Sequence, residues 1–132
     1  MKKRIQKIVL YLFAVGFGVL FLLFLSGSLI IGNSVQEQCR DAQERYDGDC
    51  VEALIQLLDD EDNSYADRNH VIWALGQLGD ERALPMLEKY YTGEIPEREP
   101  YDAGISQYEL KKAVNLASGG FNITSFIWRS KL

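Results

Sequence analysis

Between Ile8 and Ile31 the chain runs for 24 residues without one Lys, Arg, Asp or Glu. Leu, Phe, Val and Ile dominate this run, and as a helix about 20 such residues cross the roughly 30 Å of hydrocarbon in a bilayer. The segment is therefore expected to be a transmembrane helix. A cleaved signal peptide is the competing reading, with Ser26-Gly27-Ser28 as its small-residue site. A signal peptide has an apolar region of only about 7 to 15 residues. Here Leu29-Ile30-Ile31 continue past the small residues, which favours an uncleaved anchor. Glu37-Gln38 ahead of Cys39 does not form a lipoprotein-processing site.

Charge divides the chain at the same place. Residues 1–31 carry four cations (Lys2, Lys3, Arg4, Lys7) and no acid, whereas residues 32–132 carry ten Lys and Arg against 19 acids, a formal charge of −9. Basic flanks stay on the cytoplasmic side of a membrane. The expected organisation is a basic cytoplasmic tail at 1–7, a transmembrane helix at 8–31 and an extracytoplasmic domain at 32–132. In a bacterial cell that domain sits on the outer face of the cytoplasmic membrane. Ala14 and Gly18, with Gly16 between them, give the span one small-xxx-small pair of the kind that lets two membrane helices approach. The acidic outer part argues against a nucleic-acid partner. One His and two Cys leave no basis for a histidine-built or four-cysteine metal site. No cofactor and no small-molecule substrate is expected.

The outer part reads as short helices. Ser34-Val35-Gln36-Glu37 has the capping-box form, and Val35, Cys39, Ala42 and Tyr46 follow on one helical face until Gly48. Helices are predicted over 50–58, 66–78 (stopped by Gly79) and 81–91, with Pro85 early in the last. Thr92 to Ile105 holds Gly93, Pro96, Pro100 and Gly104 and is predicted as a loop. Ser106-Gln107-Tyr108-Glu109 repeats the capping-box form and opens a helix that Gly119-Gly120 stops. Phe121, Ile123, Phe126, Ile127 and Trp128 crowd the last twelve residues, so this tail is expected to pack back on the helices or on a partner. The fold class is all-α, built from antiparallel helix pairs.

From Arg68 to Leu87 the sequence resembles a HEAT repeat, and more narrowly the HEAT-like repeats also found in phycobilisome lyases. The resemblance rests on Arg68 at the helix start, Ala74-Leu75-Gly76-Gln77-Leu78-Gly79-Asp80, and Arg82-Ala83-Leu84-Pro85-Met86-Leu87. Arg68, Gly76, Gly79, Asp80, Arg82 and Pro85 are the repeat's structural positions: small Gly76 for close helix packing, Gly79 for the turn, Asp80 as the next cap and Arg82 to pair with acids of a neighbouring repeat. It implies a small HEAT-like α-hairpin domain of about two repeats, with residues 34–46 as a leading cap helix and the tail as a terminal cap. Repeats of this kind bury their faces against one another.

No residue set suggests catalysis. His70 has no nucleophile motif beside it and reads as an exposed or partly packed side chain. The acidic stretch Asp59-Asp60-Glu61-Asp62-Asn63 lacks the Gly and distal Glu of a calcium loop and reads as a solvated turn. Cys39 and Cys50 either form a disulfide, which an exported domain permits, or stay as two buried thiols. In an ideal hairpin turning at Asp47-Gly48-Asp49, Cys39 lies roughly 10 Å back along its helix, so a bridge requires that helix to bend or end early. Trp73, Tyr90, Tyr91, Tyr101 and Trp128 are candidate partner contacts, because aromatic anchors dominate interfaces. The expected function is a membrane-anchored protein-interaction scaffold or adaptor, with no enzymatic activity. The alternatives are a small structural subunit of a membrane complex and a bilin-lyase-type enzyme.

Overall fold

A computed structural model describes residues 1–132, with the side chain of Lys131 outside the description. The first helix, α1, spans Lys2–Gln43, 42 residues and about 63 Å of unbroken helix. The separate helix expected to start at Ser34 does not exist. Ser34 caps nothing, because the chain before it stays helical and Ser34 lies inside the helix, where the preceding turns already satisfy the backbone N–H groups. The apolar run and the first helix of the domain are one rod. This rod is long and apolar enough over its first part to be a candidate membrane span, and that part is not buried within the protein.

Beyond α1 the chain forms α2 (Cys50–Asp59), α3 (Tyr65–Leu78), α4 (Leu84–Tyr90), α5 (Gln107–Ala117) and the short α6 (Ser125–Trp128). Their starts are written in caps. Asp49 accepts from the Glu52 N–H while the Glu52 carboxylate accepts from the Asp49 N–H, a complete capping box. Ser64 caps α3 through the Asp67 N–H, and Ser106 caps α5 through the Glu109 N–H. Gly79 ends α3 at φ 61°, a left-handed conformation that costs glycine little. The helix predicted over 81–91 is split: a 3₁₀ turn at Glu81–Ala83 precedes α4. The split places Pro85 in the first turn of α4, where its missing N–H leaves no hydrogen bond unmade.

The hydrogen bonds define the stacking. Arg82 at the head of α4 reaches Asp49 at the head of α2, and Lys89 at the foot of α4 reaches Asp59 at the foot of α2. These two helices therefore run side by side in one direction. Asn69 bonds Ser106, and seven residues further along both helices Gly76 meets Ala113, so α3 and α5 are likewise parallel. The hairpins α2–α3 and α4–α5 are thus two stacked copies of one unit, as the sequence reading expects. A Cβ on Gly76 would stand 2.8 Å from the Ala113 Cα, so glycine is what lets the two units touch. Leu54, Leu58, Val71, Ile72, Leu75, Leu87 and Leu110 form the fully buried centre.

The tail does not cap the last repeat. It crosses back to α1, where α6 packs and Trp128 sits directly on Gly32. A Cβ on Gly32 would lie 2.6 Å from the Trp128 Cβ, so this closure depends on glycine in the middle of a helix. Arg129 donates to the Gln77 carbonyl from Nε (3.0 Å) and Nη2 (2.6 Å), and Asn122 donates to the Gln77 side chain, fixing the tail to the foot of α3. Burial holds the Arg129 guanidinium pKa below its ordinary value.

Candidate interaction site

One surface cleft collects chemically diverse side chains. Ser34, Glu37 and Gln38 of α1, His70 and Trp73 of α3, and Tyr101 of the 92–105 loop line about 400 Å³. The His70 and Tyr101 rings lie 5.3 Å apart at 53°, within the range of favourable aromatic contact. Tyr101 is 39% exposed and Trp73 is half-buried, so both keep surface to offer. Burial, then the nearby Glu109 charge, raises the Tyr101 phenol above its ordinary pKa.

A buried amide holds the cleft together. Asn69 is 0% exposed and uses both ends of its side chain. Its Nδ2 donates to the Tyr101 and Gly104 carbonyls, both at 2.8 Å, and its Oδ1 accepts from the Ser106 N–H at 2.8 Å. The loop is pinned from its other side by Glu99, whose carboxylate accepts from the Ser106 hydroxyl and the Gln107 and Tyr108 N–H groups at the head of α5. Burial alone would raise the Glu99 pKa; the hydrogen bonds from Ser106, Tyr108 and Gln107 outweigh it and leave the carboxyl lower than usual. Sequence reasoning passed over Asn69 and Glu99. The available signal was Asn69 itself, a polar residue in helical register with buried Ile72 and Gly76.

The other expected contact residues lie elsewhere. Tyr90 is turned inward: its hydroxyl donates to Asp59 and its ring lies 5.1 Å beneath the Arg68 guanidinium. Tyr91 is half-buried against the core. Trp128 is 3% exposed and closes the core on Gly32, so it presents no surface to a partner. Its indole N–H has no hydrogen-bond partner among the described residues. His70 is exposed in the cleft. Two carboxylates of the 59–63 turn are engaged: Asp59 with Lys89 and Tyr90, and Asp60 with the Tyr46 hydroxyl at 2.6 Å.

The repeat positions have physical roles. Buried Arg68 donates from Nε to the Leu58 carbonyl at 2.9 Å, tying α3 to the end of α2. Arg82 binds Asp80 through two nitrogens and Asp49 at 2.7 Å, so one guanidinium joins the two hairpins. The hydrogen bond from the Glu52 N–H, then that from Arg82, lowers the Asp49 pKa, and Arg82 does the same for Asp80. The structure also joins Cys39 to Cys50, with Cα atoms 4.8 Å apart. The geometric obstacle seen in the sequence disappears because α1 ends at Gln43, not at Gly48. The six residues that follow fold back and return Cys50 to the level of Cys39.

Residues 36–99 match the family model for HEAT repeats. The match covers the end of α1, both α2 and α3, α4 and the first part of the loop, and it supports reading the chain as a HEAT-repeat protein. Neither curated proteins nor solved structures returned a match. HEAT repeats point to protein–protein interaction, and here the cleft is formed where the first HEAT-like hairpin meets α1 and the loop between the hairpin-forming helices α4 and α5.

Proposed function

We propose that this chain is a membrane-anchored adaptor. Its HEAT-like domain holds a partner protein in the Trp73–Tyr101 cleft, on the outer face of the cytoplasmic membrane. One observation carries the reading: α1 passes from the apolar run into the domain core without a break. Ser34 follows Ile31 by three residues, so the cleft begins about 5 Å beyond the apolar run along the helix axis. A partner in the cleft is therefore held close to the bilayer at a fixed angle. The four N-terminal cations support an orientation with the N-terminus inside. The proposal assigns no catalytic step to the chain, and lyase chemistry of the phycobilisome type would rest on the repeat resemblance alone.

Photo-crosslinking from Tyr101 in intact membranes tests this. A discrete partner captured at Tyr101 and lost on Trp73→Ala, with none captured from exposed Tyr65, which does not line the cleft, is the expected result. The same proteins captured from both tyrosines would count against a specific cleft. A second reading is a structural subunit held by the span itself. It is favoured by the small-xxx-small pair Ala14 and Gly18, with open space around Gly18 in the apolar half of α1. Replacing residues 8–23 with an unrelated membrane helix separates the two. Capture at Tyr101 survives if the cleft suffices and fails if the span carries the association.

A further inference from the structure

We infer that the C-terminal turn, residues 121–132, is a second membrane contact that lies in the headgroup region and inserts Phe121 and Phe126 toward the acyl chains. This rests on the membrane-span reading of α1. Phe121 and Phe126 are each 75% exposed, and Ile123 and Leu132 are more than half exposed. The two phenyl rings lie 6.1 Å apart and form one cluster. A cluster of this kind on a water-facing surface calls for an occupant.

Position identifies the occupant as lipid. The turn is fixed to α1 through Trp128 on Gly32, one residue past the apolar run. Counting about 20 residues of hydrocarbon from the end of the basic tail at Lys7 reaches Gly27. Residues 28–32, which end at the Gly32 that Trp128 packs on, then fall at the far interface, the depth at which aromatic side chains concentrate. Direction agrees. Arg45 beyond α1 bonds Asn63 at the head of α3, while Arg129 and Asn122 bond Gln77 at its foot. So α3 runs back along α1 toward the apolar run, and the tail occupies the end of the domain nearest to it. Exposed Leu29 and Ile30 on α1 continue the apolar surface. Residues 118–132 also contain no Asp or Glu, in a domain of formal charge −9. An acid-free apolar patch suits an anionic lipid surface better than the rest of the domain does. The turn would then hold the domain upright on the bilayer, fixing the height of the cleft.

The test uses the full chain in vesicles of equal parts phosphatidylethanolamine and phosphatidylglycerol. Photoactivatable benzoylphenylalanine replaces Phe126, Phe121, Phe17 or Tyr108, one at a time, and adducts are read by mass spectrometry. The exposed rings tolerate replacement without touching the core. Burying two phenyl rings in lipid favours the inserted state by well over a factor of ten, so positions 126 and 121 should give at least about tenfold more lipid adduct than Tyr108 at the other end of α5. Lipid adducts at Phe17 with none at Phe126 or Phe121 would overturn this inference and leave the span standing. No lipid adduct at Phe17 would overturn both. Crosslinks from Phe126 to a second copy of the chain would show a self-association surface and overturn it as well.

Discussion

From Lys2 to Leu23 every residue of α1 but Gly18 is exposed, and the exposed side chains include Leu10, Phe13 and Phe17 at 65% or more. From Gly32 onward the same helix buries Gly32, Val35, Cys39 and Ala42, a stripe at steps of three and four residues, and turns Glu37, Arg40 and Asp41 outward. Backbone geometry is shared; the environment each half requires is not. A helix apolar on all sides suits an apolar medium, whereas a striped helix is satisfied by one packed neighbour. The two halves thus differ in what they require of their surroundings, with Gly32 and Trp128 at the change.

The comparison can be broken most forcefully at that change. Trp128→Ala is expected to destabilise the full chain in detergent by about 4 kcal/mol, measured by urea unfolding. Trp128→Phe should cost less than about 1.5 kcal/mol, because the indole N–H has no partner to lose. Equal losses would mean that the tail is held by something other than packing on Gly32. Phe17→Arg, in the exposed half, is expected to weaken membrane retention by about 3 kcal/mol in carbonate extraction while leaving the unfolding of the domain unchanged. A shift in domain unfolding would show that the two halves are not independent. Reducing Cys39–Cys50, which closes a short loop, should cost between about 2 and 3 kcal/mol of domain stability and leave membrane retention intact. Asn69→Ala is expected to cost about 2 kcal/mol by stranding the Ser106 N–H and two carbonyls. Its signature is faster proteolysis within 92–105.

Acid gives the smallest effect. Asp49, Asp60, Asp80 and Glu99 have pKa values held below the ordinary carboxylate range in the folded chain. Depressed carboxylates stabilise fully above their unfolded values of about 4 and lose that contribution as pH falls toward the folded values. Thermal unfolding of the domain should therefore be flat from neutral pH down to about 5 and decline below about 4. Asp49 is exposed and Asp60, Asp80 and Glu99 are partly exposed, so solvent screens these interactions and the decline is modest.

Much of this fold is legible in the sequence because its decisions are local. Ser106 and Gly79 mark helix ends by chemistry that needs only their neighbours. Gly76 and Arg82 declare repeat contacts through the motif that contains them. The same local logic fails at Ser34, where a well-formed cap sequence sits inside a continuous helix. Whether a cap is used depends on what precedes it, and Gly32-Asn33 is too weak a break to end a helix that Trp128 packs against. Long-range closure is invisible to periodicity: the tail's return to α1 and the reach of Asn69 across more than thirty residues leave no regular spacing. The cleft is half legible for that reason. Trp73 and Tyr101 are found by residue type, but their meeting with His70 and Glu37 depends on a loop whose anchors read as ordinary polar residues.

The most direct measurement is amide hydrogen exchange along α1 in the full chain reconstituted in lipid nanodiscs. A single rod joining span to domain predicts slow exchange without interruption from Leu25 to Gln43, including the N–H groups of Ser34, Val35 and Gln36. Fast exchange confined to residues 32–36 would reveal a hinge at the old cap sequence, free the domain from the membrane helix and contradict the account.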